Sequence, residues 1–143
     1  MSETTVTPES AIAYGYLAAA LAKAQAEMQH PKKNKTAGAG SYKYTYSDLA
    51  SLIDAIKIPL SKNGLSFTQA PSVDVDKKTM TLTTTLLHSS GQSLTSSLTV
   101  GLLDMKPQSI GSAITYSRRY ALSAIVGVAS EEDDDAQAAQ GAK

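Results

Sequence analysis

The chain has no cysteine and no tryptophan, and only two histidines and one phenylalanine among its 143 residues. Without thiols there is no disulfide frame and no thiolate-ligated metal, which fits a reducing cytoplasm. His30 and His88 stand far apart and offer no zinc-type spacing, so no metal is expected. Neither G-x-x-x-x-G-K-[ST] nor G-x-G-x-x-G occurs, which leaves nucleotide hydrolysis without a phosphate cradle. No cofactor and no catalytic residue are therefore expected. No apolar run approaches the roughly 18–20 residues of a membrane span. Tyr16 to Ala24, YLAAALAKA, imitates a signal-peptide core, but the preceding MSETTVTPES is acidic rather than basic. The expectation is a soluble, cytoplasmic protein with no membrane association and no enzymatic activity.

What is present is uneven charge. Net charge is zero, yet residues 31–120 carry eleven basic against five acidic side chains, and residues 121–143 carry one against five. A basic centre lies between acidic ends, as a polyanion binder would have it, although a solvated surface can look the same. The length suits one domain, expected over residues 1–130, followed by an acidic tail over 131–143.

Periodicity gives an order of elements. Thr7-Pro8-Glu9 is a helix start, and an Ala-rich helix is expected over 8–29, stopped by His30-Pro31. KKNKTAGAG, residues 32–40, reads as a flexible basic linker. Tyr42, Tyr44 and Tyr46 alternate along one face of a short strand. Ser47 can cap a helix through Asn63, kinked or shortened by Pro59 and closed by Gly64. Three strands then form a meander: 65–75, where Pro71 demands an edge or a bend, and two whose leucines alternate with Thr and Ser. One face is oily, the other rich in hydroxyls. A last helix from Pro107 to about Val128 places Ile110, Ile114, Ala121, Ala124, Ile125 and Val128 towards the sheet, with Arg119 almost opposite. This is an α+β domain, an antiparallel β-meander packed by helices.

Several residues can carry function. Arg118 and Arg119 are fork-shaped and permanently charged, suited to phosphate oxygens and to stacking on bases; a salt bridge to Asp or Glu is the structural alternative. Lys32, Lys33, Lys35 and Lys43, interleaved with Tyr42, Tyr44 and Tyr46, combine charge with stacking surface, the two needs of sequence-tolerant single-strand binding. Alternatively the tyrosines pack on the following helix and the lysines only solubilise. Lys106 precedes a helix N-terminus, which attracts phosphate, while Tyr116 offers further aromatic support. Lys57, Lys62, Lys77 and Lys78 complete the basic set. Glu131, Glu132, Asp133, Asp134 and Asp135 are poor metal ligands if their backbone frays. They dock a partner, shield a basic groove until DNA displaces them, or keep the protein soluble.

GSAITYSRRYALSAIVGVASEEDDD, Gly111 to Asp135, resembles the signature of the ERF (essential recombination function) family of phage single-strand annealing proteins. YKYTYSDLASLIDAIKIPLSKNGLSFTQ, Tyr42 to Gln69, is similar to the family's other recurring block, and LLHSSGQSLTSSLTV, Leu86 to Val100, to its hairpin. Ala136 departs from the pattern, in which a glycine often follows the acidic run. Some relatives carry a further C-terminal region, and an activity housed there is expected to be missing. The resemblance implies ATP-independent annealing of complementary single-stranded DNA in recombination and repair. It also implies a homo-oligomer, ring or filament, around a β-β-β-α core, in the host cytoplasm if a phage encodes the chain. The rival expectations are a passive single-strand protector, an adaptor docking a host single-strand-binding, replication or repair protein through its tail, and a metal-dependent nuclease.

Overall fold

A computed structural model describes residues 14–131. In chain order its elements are α1 (Gly15–Glu27), β1 (Lys35–Ala39), β2 (Tyr42–Tyr46), α2 (Leu49–Lys62), β3 (Leu65–Asp74), β4 (Thr79–His88), β5 (Ser93–Gly101) and α3 (Pro107–Val126). The fold is α+β, with an antiparallel three-stranded sheet in the order β3-β4-β5, a separate hairpin β1-β2, and three helices.

The sheet follows from the period-two pattern. Met80, Leu82, Thr84 and Leu86 of β4 are buried, and the alternate threonines face the other way. On that second face hydroxyls pair across the strands: Thr81 with Thr99 at 2.8 Å, Thr83 with Ser97 at 3.2 Å and Thr85 with Thr95 at 3.2 Å. Pro71 sits opposite Leu82 in β3, an edge strand, where its missing N–H need not break a ladder.

Helices cover the oily face. Leu52, Ile56 and Leu60 form the buried stripe of α2 and meet Leu17, Ala20 and Ala24 of α1 in one cluster with Leu65 and Leu86. A second cluster, Met80, Leu82 and Leu102, packs beneath Ile110, Ala113, Ile114 and Ala121 of α3. α2 runs through Pro59 to Lys62.

The structure differs from the expected pattern in several places. The expected start of the first helix at Thr7-Pro8 lies outside the described residues. Its end comes at Glu27, before His30-Pro31, because Met28 turns to extended backbone and packs into the first cluster. Ser47 does not cap α2. It is fully buried and donates to the Pro31 carbonyl at 3.0 Å, while Asp48 caps by accepting from the Ser51 N–H at 2.9 Å. That backbone bond is the main reason the Asp48 carboxyl titrates below its ordinary value.

The basic segment 32–40 is not a featureless linker. Lys35–Ala39 pairs with Tyr42–Tyr46 across a two-residue Gly40-Ser41 turn, with Gly40 at φ +64° as a tight hairpin requires. Gly38 lies at φ +116°, and a Cβ there would collide with the Tyr42 carbonyl. The hairpin makes few contacts with any other element.

α3 changes its buried side along its length. Its N-terminal half lays Ile110 and Ile114 on the sheet, as expected, together with Ala113. Its C-terminal half buries the opposite side as well: Leu122 and Val126 pack with the α1–α2 cluster, Arg119 and Ser123 are buried, and Ala124 is exposed. Arg119 does point away from the sheet, but in this half of the helix that side is interior.

Candidate nucleic-acid interface

Three tyrosines alternate on β2, so their rings fall on one side. The ring centres of Tyr42 and Tyr44 are 6.1 Å apart, and those of Tyr44 and Tyr46 are 6.0 Å apart. The row continues into α3. The Arg119 guanidinium lies 4.3 Å from the Tyr46 ring centre, 5.3 Å from Tyr120 and 5.8 Å from Tyr116. Tyr116 and Tyr120, one helical turn apart, bring their ring centres to 4.6 Å. A cation above aromatic faces is attracted by their negative quadrupoles, so this cage suits a guanidinium.

Charge inside the cage is compensated. Arg119 Nε donates to Glu131 Oε1 at 2.8 Å, with side-chain exposures of 11% and 19%. Burial opposes the charge on Arg119, but the bond to Glu131 and its Coulomb attraction prevail and raise the pKa above the ordinary arginine value. Burial, then the Glu131 charge, pushes the Tyr120 hydroxyl up to about 12. Glu131 reaches the cage because the chain beyond α3 is strapped back. The Ala129 N–H donates to His30 Nδ1 at 2.9 Å, the Ser47 N–H to the Ser130 carbonyl at 2.8 Å, and Glu131 bridges to Tyr46.

The arginine pair divides its work. Arg118 Nε donates to Gln69 Oε1 at 3.1 Å, and Gln69 Nε2 donates back to the Arg118 carbonyl at 3.2 Å. This ties α3 to β3 and leaves Arg118 half-buried. A shallow groove lined by Gln108, Gly111, Ser112, Thr115, Tyr116 and Arg119 runs along the outer side of α3 to the guanidinium. Tyr116, half-exposed at 51%, forms its lip.

The lysines distribute around this row. Lys35 pairs with Tyr46 in the ladder and so shares the tyrosine face, whereas Lys43 pairs with Gly38 and points to the other face. Both are exposed, as are Lys32 and Lys33 just after buried Pro31. Lys32 borders a cleft that also holds Glu27 and Asp54. Lys106 caps α3 about 20 Å along the helix from Arg119. Its own N–H is bonded to Asp104 at 2.9 Å, so a carboxylate already serves that helix start. Lys77 and Lys78 occupy the β3–β4 turn, on the sheet rather than beside the cage. Glu132, Asp133, Asp134 and Asp135, expected to bind a partner, lie outside the described residues. Sequence reasoning missed Tyr120, the stacking of Tyr46 on Arg119, and the pairing of Arg119 with Glu131.

With this geometry in view, comparison with known families gives one match. The model of the ERF superfamily covers residues 17–143, and the chain belongs to that family. Comparisons with curated proteins and with solved structures returned no match. Membership carries, in general terms, a role in phage-type recombination by single-strand annealing, and with it an interaction with single-stranded DNA. Among the described residues no helix is long and apolar enough to cross a membrane.

Proposed function

We propose that this chain is an ATP-independent binding and annealing protein for single-stranded DNA, acting through the tyrosine row and the cations beside it. One observation carries this reading: Tyr42, Tyr44, Tyr46, Arg119, Tyr120 and Tyr116 form one unbroken aromatic–guanidinium row, with Lys35 on the same hairpin face. Ring steps of 6.0–6.1 Å exceed the rise of about 3.4 Å per nucleotide in stacked B-DNA. A strand that meets each ring with one base is therefore stretched, its stacking broken and its base edges left for a second strand.

Annealing makes and breaks no covalent bond. It requires an extended backbone and reduced repulsion between two polyanions, for which Lys32, Lys33 and Lys35 lie near the row, Lys43 on the other face of the hairpin, and Lys106, Arg118 and the Glu131-paired Arg119 along α3. One domain offers few contacts, so several protomers on one strand multiply them through effective concentration. Leu103, 98% exposed in the loop after β5, and the open β5 edge are the surfaces we assign to protomer contact. Leu103→Asp should then lower the sedimentation coefficient, and an unchanged value removes Leu103 from the contact.

Complementary oligonucleotides carrying a fluorophore and a quencher test the main proposal. Quenching faster than the protein-free rate without ATP supports annealing, inhibited quenching indicates passive protection, and unaltered quenching without binding refutes both. Tyr44→Ala should weaken binding by about 1–3 kcal/mol if a base stacks there.

A further inference from the structure

Arg119 lies within the aromatic row, and a carboxylate already holds it. A guanidinium presents the same fork of donors to a carboxylate as to a phosphate, so the two anions compete for one place. The strap from Gly127 to Glu131 is built to deliver that carboxylate. Its backbone is bonded at Ala129 to His30 and at Ser130 to Ser47, and Glu131 bridges to Tyr46, the ring stacked on Arg119. The groove along α3 meanwhile includes Arg119 in its lining. Among the described residues its lining contains no carboxylate and no residue of the strap. Arg119 can thus be approached by an anion while still bound to Glu131.

We propose that Glu131 stands in for a nucleic-acid phosphate on Arg119, making the C-terminal strap a built-in competitor of single-stranded DNA. The proposal rests on the reading of the row as a single-strand site and adds its regulation. A strand entering along the groove exchanges a phosphate oxygen for Glu131 Oε1, and the carboxylate is released to solvent. Glu131 is also the first of five consecutive carboxylates, so once displaced it repels the bound strand instead of shielding it. Affinity is thereby held below what the cations alone would give, which favours exchange of strands over permanent capture.

The test measures binding of oligodeoxythymidylate by fluorescence anisotropy for the full chain, for Glu131→Gln, and for Asp76→Asn as a charge-matched control in the β3–β4 turn. Glu131→Gln should bind about ten-fold tighter, the scale of one charged hydrogen bond released from competition. Its salt slope should be steeper by about 0.7, since Arg119 then sheds a counterion rather than a carboxylate. Asp76→Asn should match the unmodified chain. Glu131→Gln binding no tighter than Asp76→Asn overturns the competitor while leaving the single-strand site standing. If neither the unmodified chain nor Glu131→Gln binds, the functional reading itself fails. A measurement on the unmodified chain guards against misfolding of the variant: the carboxylate carbon resonance of Glu131 should shift when oligodeoxythymidylate saturates the protein. A resonance that stays in place overturns the displacement.

Discussion

The pairing of Arg119 with Glu131 can be measured as a coupling energy, using Arg119→Met, Glu131→Gln and the double variant. At about 4 Å between charge centres and an effective dielectric near 20, the attraction is about 4 kcal/mol, opposed by several kcal/mol of desolvation per ion. With side-chain exposures of only 11% and 19% the pair is far from a surface ion pair, and a net coupling of about 1.5–3 kcal/mol is expected. An exposed pair would give about 0.2–1 kcal/mol. The single variants should differ. Arg119→Met keeps the stem but strands a mostly buried carboxylate beside aromatic rings, at a cost of about 3 kcal/mol, or roughly 12 °C in Tm for a domain of this size. Glu131→Gln leaves the guanidinium stacked on Tyr46, Tyr120 and Tyr116, and its amide oxygen can still accept from Nε. About half the destabilisation is expected. Urea melts followed by circular dichroism give all four stabilities. Coupling below about 0.5 kcal/mol, or equal losses in the two single variants, would refute this account of the cage.

Ser117 Oγ is fully buried and has no hydrogen-bond partner among the described residues, so Ser117→Ala should raise stability by about 1 kcal/mol in the same melts. Tyr120 has its hydroxyl raised from about 10 to about 12, so the folded state holds a proton that the unfolded chain releases. Its stabilising share is complete below pH 10 and is lost between pH 10 and 12. Tyr120→Phe should flatten the decline of Tm across that window, and an unchanged slope would show that Tyr120 does not cause it. Gly38→Ala places a Cβ against the Tyr42 carbonyl at a backbone angle that disfavours alanine. It should reduce exchange protection of the β1–β2 amides and weaken oligonucleotide binding while leaving the Tm of the main sheet within a few degrees.

Where the signal was local, the fold could be read before any coordinates. The meander was legible because β4 alternates large apolar side chains with threonine, and the edge position of β3 because Pro71 cannot donate. The β1–β2 hairpin was missed although a signal existed: Gly40-Ser41 between two short segments is a tight-turn pair, masked by the lysines and glycines that make 32–40 look featureless. The burial of Arg119 had no local signal. Helical angles place it opposite the sheet, correctly, but cannot say that the far side of the C-terminal half is covered by α1, α2 and the strap. Glu131 looked like the start of a fraying tail for the same reason. Its partner is set by a reversal of direction after Gly127 and by bonds to Ser47 and His30, which come from distant segments.

The strap links two properties that would otherwise be independent. The hairpin touches the rest of the domain sparsely, and its anchored end is Tyr46-Ser47, the two residues that the strap engages through Glu131 and Ser130. Tyr46 also carries Arg119, so the guanidinium, the carboxylate and the base of the tyrosine row share one ring. Displacing Glu131 removes compensation from Arg119 and, through the Ser130 bond, loosens the root of the hairpin in the same event. By linkage the converse holds: whatever steadies the hairpin on its own, such as a strand stacked along Tyr42 and Tyr44, must strengthen the hold of the strap through the Ser130 bond by the same factor. Release of Glu131 must therefore come from direct competition of a phosphate for Arg119, and a strand held by Tyr42 and Tyr44 alone should leave the strap in place.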